Sequence, residues 1–532
     1  HMMQGLAGLV RSHQTVWLTD AQADSLRKST GLPLDPGGND CAPIDLERCH
    51  TLDNGKWTEV PDGTPPKLHS TLMHSTLVPM TDKVLFWGYY YQETQLWDSA
   101  TGVYSDPAKQ PADAKTPRDT MFSNLHSAGH AYLDTDEGTL LAHGGESSGG
   151  RQSFLFHGAT NQWEITDPTE DGRFYASSLT LADGKILTLF GTPLSTGHGY
   201  RVEVYDPVTH KWLKPPIDIP AAFDYVYYPW TYLLPGGDLF SAGNADHVVP
   251  GPPPGAGPSV SRRYSRTAPV DDPAKRWFGK KGNRSIGAQS GTSVLLPLRP
   301  PAYAPRVLMA GGNTPGARGT AEVIDLSAAT PDWTVVPKDL NVSRPDQVNS
   351  VLLPDGRVFL AGGVPGTAGP TEILDPENLA AGWTLGPSMK FERGYHSSAI
   401  LLPDGSVLMG GGEPEGATSV RPLERYLPGY FFKPRPSIAG VPVAPIGYGA
   451  TFKVDTPNAA SIAEVVLLRP GAVTHGFNQS QRFVGCAISA VGATSIDAKA
   501  PPDGTYAPPG WYLLFLVDGG RVPSVARWIR LH

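Results

Sequence analysis

Leu352-Leu-Pro-Asp-Gly-Arg-Val-Phe-Leu-Ala-Gly-Gly363 decides how the rest of this chain reads. Two short apolar runs flank an Asp-Gly turn and the second run ends in paired glycines, the signature of a β-hairpin. The phrase returns as Leu401-Leu-Pro-Asp-Gly-Ser-Val-Leu-Met-Gly-Gly-Gly412. Looser copies run through Leu77–Leu85, Tyr132–Leu140, Leu181–Leu187, Leu233–Leu239, and Val294–Pro297 with Arg306–Gly312, which makes seven units. Between them recurs a second phrase, an apolar-Asp turn followed by Trp: Tyr205 to Trp212, Ile324 to Trp333 and Leu374 to Trp383. A repeat of roughly 50 to 60 residues with period-two strands and no amphipathic helical period matches a four-stranded propeller blade of the kelch kind. The expected fold is all-β, a seven-bladed β-propeller.

Leu52-Asp-Asn-Gly-Lys-Trp57 is an outer-strand phrase that precedes the first hairpin, so it is expected to complete the last blade and remove the exposed sheet edges of an open array. From Pro434 the hairpin repeat gives way to plain strands, among them Ala463–Leu468, Trp511–Val517 and Ala526–Leu531. About a hundred residues of this kind fit an immunoglobulin-like β-sandwich. The expected division is an N-terminal extension over 1–46, a propeller over 47–434 and the sandwich over 435–532. The extension is expected to hold a short helix over 18–31, with Asp20 as N-cap and Gly31 as stop.

Composition narrows the class of partner. The 532 residues include 60 Gly and 53 Pro, a turn-rich chain, and 40% hydrophobic residues, enough for a packed interior. A net charge of −8 without a long basic run excludes the electrostatic footprint of a nucleic-acid or acidic-membrane binder. A small-molecule or sugar-like partner is expected. No stretch approaches the roughly 18 to 20 apolar residues of a membrane-spanning helix. Residues Gln4 to Thr15 are too polar for a secretion signal, which points to an intracellular protein or one whose signal has been removed. Three cysteines do not make a disulfide scaffold; Cys41 and Cys49 are close enough to pair in an oxidising compartment, and Cys486 reads as a small buried hydrophobe.

Propeller chemistry sits where the innermost strands meet the axis. Counting eight residues back from Asp404, Asp183 and Asp355 gives His396, Tyr175 and Gln347; Tyr228 has the same register if Gly236 takes the Asp place. Imidazole and phenolate converging on one channel suit copper or iron, and repeat arithmetic selects neither.

Arg393-Gly-Tyr-His-Ser-Ser398 resembles the Tyr-His copper-ligand motif of the galactose oxidase and glyoxal oxidase family. Arg173-Phe-Tyr-Ala-Ser-Ser178 resembles the segment carrying that family's redox-active tyrosine, and Val473-Thr-His-Gly-Phe-Asn-Gln-Ser-Gln-Arg482 the sandwich loop that brings in a second histidine. Pro508–Phe515 and Gly520–Ser524 resemble the ending of the same domain, so the likeness spans nearly the whole chain. The resemblance implies one copper per chain held by Tyr175, Tyr395, His396 and His475. It further implies oxidation of an alcohol, aldehyde or sugar-like substrate with O2 to give H2O2, Tyr395 as general base, a monomer, and a secreted or cell-surface location.

One departure stands out. Where the family has its cross-linking cysteine, in a phrase like Phe-Cys-x-Gly-His, this chain has Leu125-His-Ser-Ala-Gly-His130. Ser127 takes the cysteine place, with Ser123 the poorer alternative, so no Tyr-Cys cofactor is expected. Trp230 is the candidate for the family's stacking Trp. His126 and His130 read as ordinary residues of the phrase, an added ligand being the lesser alternative. Arg173 and Arg393 are expected to support the ligand segments; Arg284 and Arg344 read as rim charges, or else as contacts to an acidic or sugar-like substrate. Beside the oxidase stand a copper- or glycan-binding propeller with lost or altered activity, and an interaction module without metal.

Overall fold

A computed structural model describes residues 54–61, 72–88, 94–106, 125–145, 150–189, 191, 201–214, 217–218, 227–244, 260–264, 277–283, 290–312, 319–413 and 422–532. The helix expected over 18–31, and Cys41, Cys49, Ser123 and Arg284, lie outside the described residues.

The hairpin phrase forms as read. In the sixth blade Val348–Leu352 pairs antiparallel with Val358–Gly362, Leu352 opposite Val358. The turn between them closes through Gly356 N–H to Leu353 O at 2.9 Å, with Gly356 at φ +84°, a left-handed backbone that glycine adopts without steric cost. Asp355 fixes the turn from its side chain by accepting the Arg357 N–H at 3.1 Å. The Asp-to-Trp phrases supply the outer pairing. Tyr205 stands opposite Trp212, Ile324 opposite Trp333 and Leu374 opposite Trp383, where the third strand of each blade meets the fourth.

Among the described residues seven sheets repeat this plan, and their innermost strands are His74–Leu77, Gly129–Tyr132, Ser177–Thr180, Pro229–Leu233, Thr292–Leu295, Val348–Leu352 and Ser397–Leu401. Six of them run through four strands in chain order. The seventh takes its outermost strand, Lys56–Glu59, from the beginning of the described chain, with Trp57 opposite Tyr426. The ring is therefore closed by pairing the two ends of the repeat, as the sequence implied. The inner strands are buried along their whole length, since each blade face is covered by its neighbour.

The C-terminal strands form a sheet that folds over on itself. Arg482–Val491 pairs at its start with Ile462–Arg469 and at its end with Ser495–Lys499. The two halves close over Phe452, Val454, Val465, Leu467, Ile496, Leu514 and Ile529. This sandwich is packed onto the propeller rather than tethered to it: one apolar cluster joins Leu353 and Leu402 to Phe515 and Val517. Among the described residues no helix is long and apolar enough to cross a membrane.

The sandwich also reaches inside the ring. Between Arg469 and Arg482 the chain makes a small hairpin, Ala472–Thr474 with Phe477–Asn478, whose first strand pairs with the innermost strand of the first blade, Thr474 opposite His74. His475 and Gly476 alone form its tip, at φ +50° and +70°. That is the two-residue turn whose twist matches a hairpin.

Candidate metal centre

In six of the seven blades the residue one or two places before the inner strand, Leu72, Ser127, Tyr175, Tyr228, Ser290 or His396, occupies the left-handed region, an uncommon state for residues with side chains. The backbone links neighbours around the ring: Tyr175 N–H donates to Ser127 O at 3.1 Å and Tyr228 N–H to Tyr175 O at 2.7 Å. His396 N–H donates to Gln347 Oε1 at 3.0 Å, and Tyr395 N–H to Asp346 Oδ2 at 3.2 Å, so the sixth blade holds the Tyr395–His396 pair in place.

Two of these segments and the sandwich hairpin bring four side chains together. The hydroxyls of Tyr175 and Tyr395 are 2.8 Å apart. The His475 ring lies 4.7 Å from that of His396, 4.8 Å from Tyr175 and 5.6 Å from Tyr395, centroid to centroid. Tyr175, His396 and His475 are buried and Tyr395 is partly exposed, so the cluster opens at Tyr395. Thr474 Oγ1 sits 2.7 Å from His475 Nδ1, and Glu413 Oε2 lies 3.0 Å from His396 Nδ1. The hydrogen bond at Nδ1 orients the His475 imidazole to meet a metal through Nε2, whereas the Glu413 carboxylate stands close to His396 Nδ1 without hydrogen-bond geometry. Two imidazoles with two phenol oxygens are a donor set that suits copper.

The surroundings separate the remaining expectations. Arg173 and Arg393 are buried and ion-paired to Glu203 at 2.7 Å and Glu424 at 2.9 Å, and donate to the backbone carbonyls of Arg201 and Gly411 on neighbouring strands. Both anchor the segments that carry Tyr175 and Tyr395–His396 to neighbouring strands. Arg344 does the same with Glu372 at 2.8 Å; it is wholly buried and is no rim charge. Trp230 lies inside the strand Pro229–Leu233, fully buried, and among the described residues its indole makes no ring contact with Tyr175. The rings that meet Tyr175 from this blade are those of Tyr227 and Tyr228, 4.7 and 5.0 Å away at the strand entrance. Phe174 packs edge-on against Tyr175 at 4.2 Å.

Ser127 is fully buried beside Tyr175 in the axial ring, and its hydroxyl lies 4.0 Å from Met73 Sδ. His126 is within 6.0 Å of the His396 ring; burial first, and then His396, pull its pKa down to about 4, against an opposing pull from Glu413. His130 points away into a buried layer with His74 and Trp87. Sequence reasoning missed Glu413, Tyr227 and His74. Glu413 follows the second strand of its hairpin, where a count taken from the first strand does not look; Tyr227 adjoins the recognised Tyr228.

The comparisons agree with this architecture. Residues 118–424 match the family model "Glyoxal oxidase N-terminus", and residues 435–531 match "Galactose oxidase-like, Early set domain". The first spans more than half of the chain, which therefore belongs to the glyoxal oxidase and galactose oxidase family, the copper radical oxidases. Galactose oxidase of Gibberella zeae is 25% identical over 500 residues, covering 86% of this chain and 68% of that protein. Aldehyde oxidase GLOX of Vitis pseudoreticulata is 29% identical over 446 residues, covering 74% and 80%. A fungal alcohol oxidase solved in complex with copper superposes with a TM-score of 0.70 over 90% of this chain and 100% of that one, at 21% identity, and so shares its fold.

Proposed function

We propose that this chain binds one copper ion through Tyr175, Tyr395, His396 and His475 and oxidises a primary alcohol or an aldehyde with O2, giving H2O2. The observation that carries the reading is the meeting of His475, from the sandwich, with His396, Tyr175 and Tyr395, from the propeller, at ring distances of 4.7 to 5.6 Å. Copper bound there would supply one-electron redox capacity and a position for a substrate oxygen. Tyr395, on the open side, is placed to take the substrate hydroxyl proton. Tyr175, whose oxygen is 2.8 Å from that of Tyr395, would, once oxidised by one electron to a phenoxyl, receive a hydrogen atom from the adjacent carbon. The alcohol, or the hydrate of the aldehyde, loses two electrons and two protons and O2 gains them, so one aldehyde or one carboxylic acid forms for each H2O2. Phe174, Tyr227 and His475 wall Tyr175 off from water and hold its ring.

Ser127 favours a second reading, a copper-binding propeller with altered or absent turnover, because sulfur at that place would ease oxidation of Tyr175. Copper-loaded protein incubated with a panel of primary alcohols and aldehydes separates the two. Oxygen uptake matched one to one by H2O2 supports the oxidase. A copper-loaded protein with a phenolate-to-copper absorption band and no oxygen uptake on any substrate supports the second reading.

A further inference from the structure

Among the described residues, buried arginines come in two kinds. Arg173, Arg344 and Arg393 each face a buried glutamate within 2.9 Å. Arg469 and Arg482, at the base of the His475 hairpin, do not. They stand directly opposite each other where Ile462–Arg469 pairs with Arg482–Val491, so their side chains share a face of the sheet, and each is only 5% exposed. Like charges directly opposite on a sheet repel, and a buried charge without a counter-charge is costly. Among the described residues neither has an acidic partner. Arg469 donates to neutral acceptors, including Pro508 O at 2.7 Å and Thr180 Oγ1 at 3.0 Å, and Arg482 donates to Leu233 O.

Both line a cavity of about 40 Å³ between propeller and sandwich, together with Gln479 and Ser480. A single water needs only about 10–15 Å³ by the same kind of measure. Arg482 Nε and Gln479 Nε2 are buried and have no hydrogen-bond partner. Both are donors, so the missing partner is an acceptor, and the charge around it is positive. Burial pulls the Arg482 guanidinium down to about 10, with Arg469 adding to the effect, so it is still charged at neutral pH.

We propose that this cavity is an anion site, and that a small inorganic anion, a halide or a tetrahedral oxyanion, sits between Arg469, Arg482 and the Gln479 amide. The anion offsets the charge of the arginine pair and ties the root of the His475 hairpin to the propeller wall, where Gln479 Oε1 already accepts the Ser178 N–H at 2.7 Å. The site is built by residues outside the axial cluster and does not depend on the oxidase reading.

The test is thermal unfolding of the full chain, copper-free and copper-loaded, exchanged into a buffer whose only anion is a bulky sulfonate. Chloride, sulfate or phosphate is then titrated in at constant ionic strength. The expected result is a saturating rise in melting temperature of about 2–4 °C with at least one of them, the same in both copper states. The order of potency of the three distinguishes halide from oxyanion. Arg482→Met should remove the rise. Gln479→Glu, which keeps the acceptor for Ser178 and adds a carboxylate, should raise the melting temperature in sulfonate buffer and abolish the anion response. A response that is equal and non-saturating for all anions, one confined to the copper-loaded protein, or a Gln479→Glu variant less stable than the parent in sulfonate buffer, overturns the proposal. The wild-type titration and Gln479→Glu decide it even where Arg482→Met fails to fold.

Discussion

A hydroxyl stands at position 127 where a sulfur would change the chemistry of Tyr175. The two residues are neighbours in the axial ring, joined by the Tyr175 N–H to Ser127 O bond. An unmodified phenol is hard to oxidise by one electron, and a thioether on its ring lowers that barrier. Ser127→Cys, loaded with copper under O2, is therefore expected to cross-link by itself: the chain loses two hydrogens in mass, gains radical absorption in the visible and near infrared on oxidation, and releases more H2O2. A variant that binds copper yet keeps its full mass would place the cysteine position elsewhere, with Ser123 next in line. High H2O2 output from the Ser127 protein would show that the sulfur is dispensable.

At the scale of elements the hairpin Ala472–Asn478 does the positioning. His475 and Gly476 both need positive φ, and a Cβ on Gly476 would come within 2.6 Å of Val348 O, in the wall of the sixth blade. Thr292 Oγ1 pins the tip by donating to Gly476 O at 2.9 Å. Gly476→Ala must displace the tip and with it His475. The expected outcome is a folded protein whose copper affinity, measured by competition with a chelator, falls at least about tenfold, which corresponds to about 1.4 kcal/mol; an unchanged affinity would show that the hairpin does not set the geometry. The hairpins themselves were legible because Leu-Pro-Asp-Gly closes its turn with neighbours in sequence. The same holds for the Asp-to-Trp phrases and for His396 and Tyr175, which ride at a constant interval from those turns. What sequence could not give depends on partners far along the chain. Arg344 reads as a surface charge until Glu372 faces it, and the choice between Trp230 and Tyr227 rests on where the strand begins.

On the scale of the whole molecule, a layer of buried imidazoles lies behind the axis. Burial lowers the pKa of His130 from 6.5 to about 3 and pushes His74 and His143 well below 6.5; His130 adds to the effect on His74, and Arg173 on His143. The folded protein thus keeps these rings neutral where the unfolded chain takes up protons. Stability they contribute is complete above pH 6.5 and is lost progressively as pH falls below it, by about 1.4 kcal/mol per pH unit for each histidine. Urea midpoints of the copper-free chain should be level between pH 8 and 7 and drop steadily below 6.5; a level profile down to pH 5 would mean these groups are not buried neutral. The central claim is that propeller and sandwich build one copper site jointly. Its most direct measurement is copper content with electron paramagnetic resonance on the Cu(II)-reconstituted full chain, for the parent and for His396→Ala, His475→Ala and the double variant. The account predicts one Cu(II) per chain with hyperfine coupling to two imidazole nitrogens, one nitrogen lost in each single variant, and no specifically bound copper in the double. Stoichiometric copper with an unchanged spectrum in the double variant would contradict it.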